Sequence, residues 1–246
     1  MNTSEPKPQG RSAEKSAVVY MIPTILADDG YHAIPAQVTD CVKKCDVFFT
    51  ENLRTTRRYL KKLMPDIVID DHQWQEIQKG DADMRKAFAE ALRTGQTIGI
   101  LSEAGCPGVA DPGQELVSMA QAAGALVKPL TGPNSILLAL MASGMNGQLF
   151  RFNGYLPLDA ERRIKTLKQL EADSERTGCT HIFIETPYRN DAMLESIIQT
   201  CKPETRLCVA VSITSATEDI RTMTLARWKK STPALHKIPV IFLLSA

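Results

Sequence analysis

Hydrophobic and polar positions along this chain alternate between short apolar runs and longer stretches with helical spacing. Continuous apolar runs rich in β-branched residues are typical of strands buried in a parallel sheet. They cover residues 17–22, 47–50, 67–69, 97–101 and 126–129. The helical stretches between them cover residues 36–44, 55–63, 82–94 and 114–123. Strands separated by helices favour right-handed crossovers, so this part of the chain is predicted to form a parallel α/β sheet.

The rhythm changes after an apolar helix predicted at residues 135–142. Further strands are predicted at residues 150–155, 179–185, 206–213, 220–224 and 240–244, with helices at 162–172 and 191–199. A turn-rich segment at 214–219 joins two of these strands and predicts an antiparallel hairpin. We therefore expect an α/β fold with a tail at 1–16, predicted to be disordered, a parallel-sheet domain at 17–144 and a mixed-sheet domain at 145–246.

Composition and charge exclude several classes of protein. The 246 residues include 29 basic and 28 acidic side chains, which excludes a uniformly cationic nucleic-acid binder but allows a local basic patch. No apolar run reaches roughly 18 residues, and the first 16 residues lack an apolar core, so neither a membrane span nor a secretory signal is predicted. The six cysteines form no Cys-x-x-Cys pair and are predicted to be reduced thiols in a cytoplasmic protein without a metal site.

The most informative segment is residues 102–113, between a predicted strand and a predicted helix. Its glycines, Gly105 and Gly108 among them, allow close approach of the backbone to a ligand, and its two prolines stiffen it. Asp111 is expected to cap the next helix. The segment matches neither Gly-x-Gly-x-x-Gly nor a phosphate loop, which disfavours kinases, ATPases and ordinary dehydrogenases. It predicts either a ligand-binding loop or a rigid surface loop.

A second glycine-proline element, residues 131–135, follows the fifth predicted strand. Asn134 or Ser135 is expected to cap the helix that begins there. Two such loops at neighbouring strand ends favour a binding site, whereas either one alone is compatible with a capped turn.

Short motifs occur at the ends of predicted strands across nearly the whole chain. They are Pro23-Thr24, Glu51-x-x-Arg54-x-Thr56-Arg57, Ser102-Glu103-Ala104-Gly105-x-Pro107-x-x-x-Asp111-Pro112-Gly113, Pro129-Leu130-x-Gly132-Pro133, Phe152-x-Gly154-Tyr155-Leu156-Pro157 and Glu185-Thr186-x-x-Arg189. In this order they resemble the tetrapyrrole methylase superfamily of S-adenosylmethionine-dependent methyltransferases. Within it they most resemble the small-subunit ribosomal RNA 2′-O-ribose cytidine methyltransferases.

The resemblance implies a two-domain α/β fold, S-adenosyl-L-methionine in the cleft between the domains, and a homodimer. It implies cofactor contacts from loops of both domains, at Ser102, Glu103, Ala104, Gly105, Pro107, Ala110, Asp111, Gly132, Pro133, Ser135, Tyr155, Leu156, Glu185, Thr186 and Pro239. The first loop departs from the RNA family, because Pro23-Thr24-Ile25-Leu26 stands where that family usually continues Pro-x-Gly-Asn-Leu.

Basic side chains gather on one side of the second predicted helix. On a helix of about 100° per residue they share an arc of roughly 140°, opposite the apolar residues. They are Arg54, Arg57, Arg58, Lys61 and Lys62. Like charges at i,i+4 repel, which favours an anionic partner such as RNA of the small ribosomal subunit over a merely solvated surface. Arg162 and Arg163 are expected to extend this contact in the second domain.

A ribose hydroxyl is a poor nucleophile and benefits from a nearby base. Glu51, Glu103 and Glu185 are candidates, and Glu51 with Arg54 is favoured because the second strand is expected to end at the acceptor side. In the alternative, Glu51 caps a helix and Glu185 pairs with Arg189. Two further functions stay open: methylation of a tetrapyrrole or another small acceptor, and cofactor binding without turnover by a ribosome-associated protein.

Overall fold

The computed structural model describes residues 16–78, 80–111 and 113–246. These residues form two compact units. The first comprises the described residues up to Thr24 together with Pro35–Thr131, and the second comprises Ile25–Ile34 and Gly132–Ala246. Apart from Ser16, the predicted tail lies outside the described residues, and the division into domains at 17–144 and 145–246 remains a proposal. Within the described ranges, no helix combines the length and apolar character needed to cross a bilayer.

The first unit is built on a five-stranded sheet, called sheet A. Its strands are β1 (Val18–Met21), β2 (Val47–Thr50), β3 (Gln73–Glu76), β4 (Thr97–Leu101) and β5 (Leu126–Pro129). Its helices are α1 (Gln37–Val42), α2 (Leu53–Leu63), α3 (Ala82–Arg93) and α4 (Gln114–Ala122). The strand order is β3-β2-β4-β1-β5 and every neighbouring pair is parallel, which confirms the predicted parallel sheet.

The third strand was wrongly predicted at residues 67–69. That segment connects α2 to the sheet and runs into a 3-10 turn at Ile69–Asp71. The strand forms instead at Gln73–Glu76, where Trp74 stacks on Phe48 of β2 with ring centroids 4.7 Å apart. An edge strand is only half covered and tolerates polar residues. Cross-strand packing therefore decided the position of β3, and local hydrophobicity did not.

The second unit carries a mixed five-stranded sheet, called sheet B. Its strands are β6 (Phe150–Tyr155), β7 (Thr180–Ile184), β8 (Arg206–Val211), β9 (Asp219–Thr224) and β10 (Val240–Ser245). Its helices are α5 (Ser135–Ser143), α6 (Ala160–Thr177), α7 (Asn190–Thr200) and α8 (Leu225–Trp228). The order is β6-β7-β10-β8-β9, with β6 and β7 parallel and the other pairs antiparallel. The predicted mixed sheet and the β8–β9 hairpin are confirmed.

In each sheet, the strand register places several predicted binding loops at the same edge. In sheet A the carboxyl ends of all five strands lie together, because the strands are parallel. In sheet B, Ile184 pairs with both Tyr155 and Ile241, and Val240 pairs with Val211. The ends of β6, β7 and β8 therefore lie beside the start of β10.

Replacing Gly99 by Ala is expected to lower the free energy of unfolding by about 1–3 kcal/mol, because the core around it is already full. A Cβ at Gly99 would lie 2.5 Å from Cδ1 of Phe48 and 2.8 Å from Cδ1 of Ile22. Phe48 has little room to yield, because it is buried against Trp74. Urea unfolding measures the loss, and Gly147→Ala is the matched control, since a Cβ there meets nothing within 4 Å. Equal stability of the two variants would contradict the expectation.

Candidate active site

The loop at residues 102–113, between β4 and α4, bends its backbone into the left-handed region at four positions. Gly105, Gly108, Ala110 and Gly113 have φ angles of 74°, 80°, 63° and 120°. Glycine adopts these angles freely, whereas Ala110 does so at a cost of roughly 1–2 kcal/mol. Backbone strain of this kind persists where the surrounding structure holds it, and it is concentrated at binding sites. The geometry fits a loop that presents backbone groups to a ligand.

Hydrogen bonds tie this loop to the end of β1. The backbone N–H of Thr24 donates to the carbonyl oxygen of Gly105 at 2.8 Å. The buried hydroxyl of Thr24 lies 3.3 Å from the carbonyl oxygen of Ser102 and 3.4 Å from that of Gly105. The hydroxyl of Tyr59, on α2, donates to the carbonyl oxygen of Pro23 at 2.9 Å. The loop after β1 is therefore fixed from both sides.

Carboxylates from two strand ends meet at the same edge of sheet A. The backbone N–H of Glu103 donates to Oε2 of Glu51 at 2.9 Å, which joins the end of β2 to the loop after β4. Burial, together with the negative charges of Glu51 and Glu103, raises the pKa of Asp111 to about 6, against a hydrogen bond with Ser102 that lowers it. These three acidic side chains thus form one electrostatic group.

The raised pKa of Asp111 predicts a pH-dependent gain in stability for Asp111→Asn. At pH 8 the carboxyl is ionised in both the folded and the unfolded chain, and the folded chain bears the cost of burying the charge. At pH 3 the group is protonated in both states, and that cost is absent. Asp111→Asn should therefore raise the free energy of unfolding by about 1–2 kcal/mol at pH 8, with the gain fading as the pH falls from about 6 through the ordinary value of 3.8.

Urea unfolding at pH 8, 6 and 4 measures this difference. Asp66→Asn, at an exposed aspartate, is the control and should change the free energy by less than about 0.5 kcal/mol at each pH. A gain for Asp111→Asn that is equal at pH 8 and pH 4 would show that relief of charge burial is not its cause.

Helix caps in this region differ from two of the expectations. Asp111 does not cap α4, whose N-cap is Gly113 and carries no side-chain bond; the carboxylate of Asp111 faces the Glu51 and Glu103 charges instead. Glu51 does not cap α2 either, because the side chain of Asn52 accepts the N–H of Thr55 at 3.0 Å. Glu51 is thereby left to bind the loop after β4.

The basic side chains of α2 lie on its solvent side, as predicted. Tyr59, Leu60 and Met64 are buried on the opposite side. The guanidinium carbon of Arg57 lies 5.1 Å from the ring centre of Trp74, so this side chain is partly held by a cation–π contact. The exposed set, called the basic face of α2, consists of Arg54, Arg57, Arg58, Lys61 and Lys62.

The predicted residues of the second unit gather at one edge of sheet B. Glu185 is buried at the end of β7. Its Oε1 accepts hydrogen bonds from the backbone N–H of Thr186 at 2.7 Å and from Nη2 of Arg189 at 2.5 Å. The Glu185–Arg189 ion pair, given in the sequence analysis as the alternative to a catalytic role, is therefore present. Pro239, just before β10, is exposed, as is Tyr155 at the end of β6.

The remaining predicted residues of the second unit are less concentrated. Gly132, Pro133 and Ser135 surround the start of α5, where Asn134 provides the cap by accepting the N–H of Leu137 at 3.1 Å. The side chain of Leu156 is in the core, so only its backbone is left for the predicted contact. Arg162 is exposed. Arg163 is half-buried and donates to Oγ of Ser196 at 3.1 Å and to the carbonyl oxygen of Leu158 at 3.0 Å.

The structure thus brings the predicted residues together in two groups, one on each unit. The group on sheet A contains the 102–111 residues, Glu51 and Arg54, and the group on sheet B contains Tyr155, Glu185, Thr186 and Pro239. The structural roles of Thr24 and Ala110 were missed. A threonine just after a buried strand was the available signal for Thr24, whereas nothing local marks an alanine for the left-handed region.

One set of side chains in the described residues has the make-up of a metal site. Donor atoms of Asp173, Cys179 and His181 lie within 4.8 Å of one another. Nε2 of His181 lies 3.2 Å from Oδ2 of Asp173, and Arg176 pairs with the same carboxylate. Burial lowers the pKa of His181, so a neutral imidazole beside a carboxylate held by arginine accounts for the cluster. We assign no metal to it.

Comparison with known proteins identifies the family. The sequence pattern of the family described as "Tetrapyrrole (Corrin/Porphyrin) Methylases" matches residues 30–228. The chain belongs to the tetrapyrrole methylase family. The resemblance found in the sequence motifs is confirmed, and the protein is a methyltransferase of the S-adenosylmethionine-dependent class.

Two relatives of this methylase have the same name. A protein of Vibrio cholerae serotype O1 named "Ribosomal RNA small subunit methyltransferase I" is 30% identical over 212 residues, which are 85% of this chain and 69% of the relative. A protein of the same name from Mesorhizobium japonicum is 36% identical over 152 residues, or 62% of this chain and 50% of the relative. The matched region therefore spans about two thirds of the first relative's length and half of the second relative's length.

A solved structure supports the fold. The crystal structure of the methyltransferase CobJ superposes with a TM-score of 0.61 at 16% identity and covers 94% of this chain and 93% of its own. Both sheets of the methylase therefore belong to an architecture already seen by crystallography.

Proposed function

We propose that this methylase transfers a methyl group from S-adenosyl-L-methionine to a ribose 2′-hydroxyl in RNA of the small ribosomal subunit. The basic face of α2 carries this proposal. It begins three residues after Glu51, on the helix that follows β2, at the edge of sheet A that also holds the 102–113 loop. Relatives named as small-subunit ribosomal RNA methyltransferases support the choice of acceptor.

The cofactor fits the 102–113 loop by its chemistry. The left-handed backbone at Gly108 and Ala110 lies in the part of the loop that solvent reaches, where backbone groups are available to a bent, polar ligand. Gly105 is buried and supports the loop through the bond of its carbonyl oxygen to the N–H of Thr24. Ser102, Glu103 and Asp111 add polar side chains. Residues 132–135, 155–156, 185–186 and Pro239 would complete the binding set from the second unit. When bound, S-adenosylmethionine supplies an electrophilic sulfonium methyl group.

The residues of the chain align the acceptor and manage its proton. In our proposal Glu51 accepts the proton of the ribose hydroxyl, and Glu103 N–H holds that carboxylate in place. Arg54, the second residue of α2, binds a phosphate beside the target ribose. Alignment and exclusion of water then account for most of the rate.

The alternatives differ in acceptor or in turnover. Methylation of a tetrapyrrole or another small acceptor is favoured by the altered first loop, at residues 23–30, but leaves the basic face of α2 without a role. A ribosome-associated protein that binds the cofactor without turnover accounts for the loops but makes Glu51 dispensable.

Two measurements test the proposed function. Calorimetry should detect binding of S-adenosylmethionine or S-adenosylhomocysteine to the purified protein. Radiolabelled cofactor should transfer its methyl group to small ribosomal subunits that lack modifications, and no label should reach uroporphyrinogen. Label on the tetrapyrrole would overturn the RNA assignment, and binding without transfer to either acceptor would favour the non-catalytic reading.

Three further features are part of the proposal. We expect a homodimer, as in the superfamily, and a mass in solution twice 27.1 kDa by light scattering would support it. We expect a cytoplasmic protein, since its proposed substrate is ribosomal and buried thiols such as Cys45, Cys201 and Cys208 suit a reducing compartment. The position of the cofactor in a cleft between domains stays a prediction.

A further inference from the structure

An aromatic ring projects into solvent directly beside the predicted cofactor residues of the second unit. Tyr188 lies in the 3-10 turn Pro187–Arg189, which follows Glu185 and Thr186 at the end of β7. The residue is 68% exposed, although large aromatic side chains are usually well covered. Its ring therefore contributes little to the core, and a role in binding would explain its position.

Two basic side chains flank this ring. His236 meets it edge-on, with ring centroids 5.8 Å apart and planes at 75°, and Nζ of Lys237 lies 5.8 Å from the ring centre. Both side chains are exposed. The two acidic groups nearest to Tyr188 along the chain are already engaged. Oε1 of Glu185 accepts a hydrogen bond from Nη2 of Arg189 at 2.5 Å, and Oδ1 of Asp191 accepts one from the N–H of Leu235 at 2.7 Å. Tyr188, His236 and Lys237 are together called the Tyr188 cluster.

The backbone beneath the Tyr188 cluster is held rigidly. The N–H of Lys237 donates to the carbonyl oxygen of Pro187 at 2.9 Å, which joins the two segments of the cluster. The buried amide of Asn190 donates to the carbonyl oxygen of Ile238 at 2.7 Å. Lys237 has a φ of 63°, a conformation that a non-glycine residue keeps only where its surroundings impose it. A rigid support is what an aromatic anchor needs to bind without losing conformational freedom.

We propose that the Tyr188 cluster binds an unpaired nucleotide of the RNA acceptor, with the base stacked on Tyr188 and a phosphate held by Lys237. This inference rests on the proposed function. Sequence-specific RNA recognition targets unpaired bases, which stack on aromatic side chains, and exposed basic groups bind the adjoining phosphates. Tyr188 lies three residues after Glu185, one of the predicted cofactor residues of the same unit.

The test compares substitutions of Tyr188 in methyl transfer to unmodified small ribosomal subunits. Tyr188→Ala should lower kcat/KM by about 10-fold, chiefly through a higher KM, because it removes the stacking surface. Tyr188→Phe and Tyr188→Trp keep an aromatic face and should stay within about threefold of the wild type. The affinity for S-adenosylhomocysteine, by calorimetry, should be unchanged in all three variants.

Phe150→Ala is the matched control. Phe150 is a partly exposed aromatic residue beside the start of β7, whereas Tyr188 follows the end of that strand, so this variant should leave KM unchanged. A wild-type KM for Tyr188→Ala would overturn the inference, as would equal losses in the Ala and Phe variants or a parallel loss of cofactor affinity. These results differ from failure of the proposed function, in which the wild-type protein itself transfers no methyl group to the subunits.

Tyr188→Trp also provides a direct signal. An indole at this position should lose fluorescence when small ribosomal subunits are added, because a stacked base quenches it. Unchanged fluorescence under conditions where this variant is active would contradict stacking at the Tyr188 cluster.

Discussion

Replacing Glu51 by Gln is expected to lower kcat for methyl transfer to RNA by about 100-fold or more, with cofactor affinity within about threefold of the wild type. A general base contributes on the order of 10²–10⁴-fold to such a step. The amide oxygen of Gln can still accept the N–H of Glu103, so the link between the β2 and β4 loops survives while the proton acceptor is lost. Single-turnover transfer to unmodified small subunits measures the effect.

The control for this variant lies one strand away. Glu76→Gln, at the end of β3, removes a half-buried carboxylate from the same edge of sheet A and should leave kcat unchanged. Full turnover by Glu51→Gln would remove Glu51 from the mechanism. A loss of cofactor affinity that matches the loss of kcat would show that Glu51 acts by shaping the loop.

Reversing three charges on the basic face of α2 is expected to lower kcat/KM for small subunits by about 100-fold. The variant carries Arg54→Glu, Arg58→Glu and Lys61→Glu, all at exposed positions. Each phosphate contact makes affinity for RNA fall with salt, so the slope of log affinity against log salt concentration should become less steep by about two to three. Cofactor affinity, measured by calorimetry, should be unchanged.

A second triple variant tests whether binding depends on the basic face of α2 or on the net charge of the protein. Arg227→Glu, Lys229→Glu and Lys230→Glu change exposed residues of the second unit, in and just after α8, and reach the same net charge. We expect this variant to keep at least half of the wild-type kcat/KM. Equal losses in both triple variants would mean that net charge, and not the basic face of α2, governs binding to the subunit.

Features with local causes were predictable from the sequence. The glycines at 105 and 108 and the apolar run that ends at Leu101 marked a loop after a buried strand, and the structure has β4 end at that residue. The basic face of α2 followed from helical spacing, because side chains three and four residues apart share one side of a helix. The six-residue apolar strand β10 likewise lies in the interior of sheet B.

Features with distant causes were not predictable in this way. The apolar segment at 67–69 predicts a strand, but the strand β3 forms further along the chain, where Trp74 packs against Phe48. The left-handed conformation of Ala110 contradicts the preference of alanine itself. Asp111 was expected to cap α4 and instead faces two other carboxylates. For β3, a contact with a remote part of the chain outweighed the local preference.

By itself the sequence determined the α/β class, the loop beyond Leu101, the cationic side of α2 and the membership in a methyltransferase family, because each depends on residue types at short, regular spacing. Only the tertiary structure decided that Thr24 bonds to Gly105, 81 residues away, and that Glu51 bonds to Glu103, 52 residues away. The order β2-β4-β1 places these loops side by side. Strand order depends on how whole strands and helices bury their apolar surfaces against one another, and no single segment carries that information.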